Sequence, residues 1–75
     1  MNRKAFNAQV KYNVARACAE STQNALNAAT HAFFADPSSA NARMLAKART
    51  AAGRAADHEE EAFNELIEAT DAGRA

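Results

Sequence analysis

The sequence predicts an all-α fold, a two-helix antiparallel hairpin, and three observations carry that prediction. Twenty-two of the 75 residues are alanine, the strongest helix former. β-Branched residues are few and scattered, so no segment reads as a strand. Only one proline and two glycines interrupt the chain, and Asp36-Pro37-Ser38-Ser39 is its one strong turn.

Helix 1 is expected from about residue 3 to about 34, the turn at 35–38, and helix 2 from about 37 to about 72. Proline suits a first helical position, where its missing N–H is not needed, and Asp36 before it suits the N-cap. Ser38 or Ser39 would cap a slightly later start. Gly73 fits the left-handed position that closes a helix. Residues 1–75 thus form one domain. An alternative is a break near Asp57, because Asp57 and Glu60 resemble a capping box just after Gly53 and would divide helix 2.

Both helices carry coiled-coil spacing. Phe6, Val10, Val14, Ala17, Ser21, Ala25, Ala28 and Ala32 follow one another at threes and fours in helix 1. Leu45, Ala48, Ala52, Ala55, Glu59, Ala62, Leu66 and Ala69 do so in helix 2. Folding the chain at Asp36 pairs residues whose numbers sum to about 72. Phe6 and Val10 should then meet Phe63, Leu66 and Ile67, while Leu26, Phe33 and Phe34 lie near Met44 and Leu45. The expected core and oligomer residues are therefore Phe6, Val10, Val14, Leu26, Leu45, Phe63, Leu66 and Ile67. Charge favours the same antiparallel arrangement. Arg3, Lys4, Lys11 and Arg16 in helix 1 come beside Asp57, Glu59, Glu60, Glu61, Glu65, Glu68 and Asp71 in helix 2.

Composition narrows function by exclusion. Nine basic and nine acidic side chains cancel, which argues against DNA binding through bulk positive charge. No run approaches the roughly 18 apolar residues of a membrane span, and the N-terminus lacks the apolar core of a signal peptide, so a cytoplasmic protein is expected. Cys18, the single cysteine, has no internal disulfide partner and is expected as a small buried residue beside the seam. A chain this short usually needs a supplement to its core, and a partner subunit is the one left.

No catalytic or metal constellation assembles. His58-Glu59-Glu60-Glu61 begins like a zinc-protease motif, but Ala62 stands where the second histidine must be, and Ala55 precedes His58 where a di-iron site needs glutamate. Ser38, Ser39 and His31 lack a third orienting group and an oxyanion site. The expectation is no enzyme, no metal and no cofactor.

Two surfaces remain as binding candidates. At the turn end Phe33, Phe34, Arg43, Met44 and Lys47 combine large apolar groups with positive charge, the types enriched where proteins meet. Adjacent Phe33 and Phe34 point about 100° apart, so one of them must leave the seam. Tyr12, off the main stripe, reads as an interface aromatic. Arg43, Lys47 and Arg54, with Arg49 nearby, form a possible anion or nucleic-acid face on helix 2.

The plan resembles the short helical hairpins of Rop type, which pair into antiparallel four-helix bundles and bind RNA. The resemblance is one of architecture and implies a homodimeric bundle, with nucleic acid or a nucleotide as a possible ligand. The leading expectation is a small protein-binding module, an inhibitor or adaptor of a host protein of the kind phages and mobile elements carry.

Overall fold

A computed structural model describes residues 3–74, with side chains through Asp71. The chain forms two helices, α1 (Arg3–Ala35) and α2 (Ser39–Arg74), folded back on each other. The hairpin is a rod whose Cα atoms span 56 × 13 × 12 Å. α2 is continuous through Gly53 and Asp57, so the alternative of three helices is not realised. It also runs on through Gly73 to Arg74, and no described glycine has a positive φ, so Gly73 does not close the helix in a left-handed cap.

The turn is built differently from the simplest reading of its sequence. The Asp36 N–H still donates to the Ala32 carbonyl at 2.9 Å, so Asp36 ends α1 rather than starting α2. Pro37 carries the chain around, with the Ser38 N–H donating to the Asp36 carbonyl at 2.7 Å. Ser38 is the N-cap: its Oγ accepts from the Asn41 N–H at 3.1 Å, and its carbonyl accepts the first bond of α2, from Ala42, at 2.9 Å. Asn41 Nδ2 then donates to the carbonyls of Asp36, at 2.8 Å, and Ala32, at 3.3 Å. One asparagine side chain thus adds a second donor to two carbonyls at the end of α1, each of which also accepts a backbone N–H.

The seam of α2 is the expected one. Leu45, Ala55, Ala62 and Ala69 are buried, and Ala48, Ala52, Glu59 and Leu66 are half-buried. The seam of α1 is not. Phe6, Val10, Val14, Ala17, Ser21, Ala25, Ala28 and Ala32 are all exposed. The seam runs instead through Ala5, Ala8, Tyr12, Ala15, Ala19, Thr22, Leu26, Ala29 and Phe33, again at alternating threes and fours, with Gln9 and Thr30 half-buried beside it. Alanine lines more than one stripe of α1, so two stripes of equal periodicity compete. The choice of the bulkier one fails because an alanine seam lets the two backbones come close along the whole rod. Thr22 is tolerated there because its hydroxyl donates to the Cys18 and Ala19 carbonyls, both at 3.0 Å.

Contacts across the seam fix the register. Lys11 meets Glu65, Tyr12 meets Phe63 and Asn41 reaches Ala32, pairs whose numbers sum to 73–76 rather than 72. Of the expected core, Leu26, Leu45 and Leu66 lie in the seam. Phe6, Val10, Val14, Phe63 and Ile67 lie outside it, 59, 47, 66, 46 and 43 % exposed. The ring that meets Phe63 is that of Tyr12, which is half-buried rather than projecting as an interface aromatic.

Candidate protein-binding surfaces

The seam divides the hairpin surface into two flanks and two outer faces. On one flank Lys11 Nζ donates to both Glu65 carboxylate oxygens, at 2.8 and 3.0 Å. Arg3, Lys4, Asn7, Ala8, Glu68 and Ala69 surround this pair in a groove of 580 Å³. The pair is more than half exposed on the lysine side and half exposed on the glutamate side, so it contributes at most about 1 kcal/mol. Its effect is on orientation. The rest of the expected charge pairing is looser: Arg16 turns to Glu20 on its own helix at 3.5 Å, and His58 sits 3.8 Å from Glu61.

The other flank is apolar at the open end of the hairpin. Tyr12, Ala56, Glu59, Glu60 and Phe63 line a shallow groove there, with the two rings 5.6 Å apart. Helical spacing adds neighbours. Ile67 follows Phe63 by one turn, and Phe6 lies on the side of α1 away from Lys4 and Lys11. Phe6 and Ile67 stand at the same level of the rod, and Val10 follows Phe6 by one turn around the back of α1. Large side chains that would each contribute about 1.5–3 kcal/mol if fully buried are thus left partly in solvent.

The turn end does not form a single patch. Phe33 is half-buried in the seam and Phe34 is 76 % exposed, their rings 6.1 Å apart. One of the two rings therefore leaves the seam. Phe34 is four heptads on from Phe6 and shares its flank, whereas Met44, 59 % exposed, is three heptads before Glu65 and shares the Lys11 flank. Arg43 and Lys47 continue from Met44 around the back of α2.

Arg43, Lys47 and Arg54 do share one stripe, and Lys47 and Arg54 line a shallow groove with Ala46, Thr50 and Ala51. Arg49 does not belong to it. Two residues from Lys47 is about 200° around the helix, which puts Arg49 on the Phe63 flank. Among the described residues these four cations form no ion pair. Cys18 is exposed rather than buried, because the α1 seam passes through Ala15 and Ala19 on either side of it.

Sequence reasoning missed Tyr12 as a seam residue and Gly53 as a surface one. The signal for Tyr12 was its heptad spacing to Ala5, Ala19, Leu26 and Phe33, hidden by the bulkier stripe beside it. No described helix is long and apolar enough to cross a membrane. No family model, curated protein or solved structure matches the chain.

Proposed function

We propose that this chain is a non-enzymatic protein-binding module that works as a homodimer, two hairpins completing a four-helix bundle. The observation that carries this reading is the inversion of bulk: the buried seam is mostly alanine while Phe6, Val10, Val14, Phe63 and Ile67 are partly in solvent. A chain that folds on alanine and displays its large apolar groups is built to have them covered. Sedimentation equilibrium tests the homodimer. A 16 kDa species at micromolar concentration is expected, and a helical 8 kDa monomer throughout that range overturns it.

The partner surface in this reading is the Met44 side of the turn end. Met44, Arg43 and Lys47 form a neighbouring apolar and cationic set, the combination that anchors protein interfaces, and they suit a partner with acidic groups around an apolar pocket. Phe33 lies in the seam and Phe34 on the opposite flank. The double variant Arg43→Glu/Met44→Ser should keep helicity and dimer mass yet lose any host protein that the wild type captures from lysate. Retention of that protein overturns the assignment. The one exposed thiol, Cys18, suits a reducing compartment, so the cytoplasm is the proposed place of action.

A second reading has one specific observation in its favour. Arg43, Lys47 and Arg54 align on one stripe beside Thr50, an arrangement that can follow a phosphate backbone. Polynucleotide affinity that falls steeply between 50 and 200 mM salt, and falls further in Lys47→Gln/Arg54→Gln, would favour it.

A further inference from the structure

We infer that the second copy docks on the Phe63 flank with its long axis reversed, so that the turn end of each hairpin lies against the open end of the other and the two cross near Gly53. The inference rests on the homodimer proposed above and adds its face and direction.

Area supports a large contact. The hairpin exposes 5534 Å², whereas a compact protein of its 8.0 kDa mass exposes about 4,450 Å². The excess, roughly 1,100 Å², exceeds the ~800 Å² that each partner contributes to a standard stable interface. Covering one flank would bring the chain into the normal range. Each flank carries an ion pair, Arg16–Glu20 on this one and Lys11–Glu65 on its opposite, but the large exposed apolar side chains Phe6, Phe34, Phe63 and Ile67 stand here, against Val14 and Met44 on the other.

Gly53 supplies an independent observation. Glycine is the least favourable residue but proline inside a helix, yet it stands in the middle of the 36-residue α2. Nothing within the hairpin requires it, because a Cβ built there meets nothing within 4 Å. Gly53 repeats at seven residues with Ala46, Glu60 and Ile67, so it lies on the Phe63 flank. It is also near the midpoint of the rod. A bare backbone at that place allows a second helix to cross closely.

Charge sets the direction. Residues 21–55 carry Arg43, Lys47, Arg49 and Arg54 against Asp36 alone, a formal +3. The chain being neutral, the remainder, which forms the open half, carries −3. Reversed copies bring unlike halves together, and parallel copies bring like halves together. A two-fold axis between Gly53 and Ala56 also brings Glu60 of one copy level with Arg49 of the other, each about 8 Å along α2 from the axis. The same rotation brings the exposed Phe34 level with Ile67.

Spin labels test the direction. In a Cys18→Ser background, a nitroxide on Ser39→Cys should give an inter-copy distance of about 45–55 Å if the hairpins are reversed. A distance of about 10–20 Å, the spacing of adjacent helices with label length added, overturns the direction while leaving the homodimer intact. Absence of dipolar coupling together with an 8 kDa mass overturns the homodimer itself. Gly53→Leu tests the face independently of folding, since the space around it is open within one copy. It should retain full helicity and weaken dimerisation at least tenfold. An unchanged dimerisation constant overturns the assignment of this flank.

Discussion

The Tyr12 ring lies 5.6 Å from the Phe63 ring, their planes inclined at 51°, and the pair joins the seam to the surface. Tyr12 occupies a seam position on α1, whereas Phe63 stands on the flank beside Ala62, which is 2 % exposed. The contact therefore extends the alanine seam sideways and gives the open end its only aromatic packing among the described residues.

That geometry predicts a coupling. Tyr12→Ala and Phe63→Ala should each destabilise the protein, by about 1–3 kcal/mol, less than a fully buried aromatic would lose. The double variant should cost less than the two together by about 0.5–1.5 kcal/mol, the worth of an aromatic pair beyond its area. Urea unfolding of the four species measures it. Strict additivity would mean that the rings contribute independently.

The inverted seam predicts a reversal of the usual sensitivity to size and charge. Ala62→Leu, which adds bulk where two backbones meet, should destabilise the hairpin by about 1–3 kcal/mol. Val10→Asp, which charges a side chain already 47 % exposed on the outer face, should keep its helical circular-dichroism signal and remain a hairpin. A Val10→Asp chain that unfolds while Ala62→Leu does not would restore the Phe6-Val10-Val14 stripe to the core.

At the turn, Ser38→Ala should lower stability by about 1 kcal/mol through loss of the N-cap, and Asp36→Ala should do less. Asn41→Ala removes the side-chain donor to the Ala32 and Asp36 carbonyls and is expected to cost no more than Ser38→Ala, because each carbonyl keeps a backbone N–H donor. Thermal melts of the three variants order them.

Lys11→Met should change stability by less than about 1 kcal/mol, since its ion pair with Glu65 is exposed. Raising the salt to 1 M in the wild type should likewise have little effect on hairpin unfolding while weakening dimerisation, if the charge halves steer the second copy. Melting and sedimentation at two salt concentrations separate the two effects.

Alanine content, the single Pro37 and the absence of strand-forming runs determined by themselves that this chain is two helices joined at one turn. The short turn determined that the helices run antiparallel, since so few residues cannot carry the chain back along a helix, and the charge blocks agree with it. The α2 seam was legible because its larger apolar residues, Leu45 and Leu66, fall on the same stripe as its buried alanines. Only the tertiary structure decided which stripe of α1 faces inward. There the bulky and the small residues lie on different stripes of the same period, and the close approach of two alanine-faced backbones, which depends on both helices at once, chose the small one. The same choice put Phe6, Val10 and Val14 outside and split Phe34 from Met44 at the turn end, so these candidate surfaces are consequences of packing that no single helix encodes.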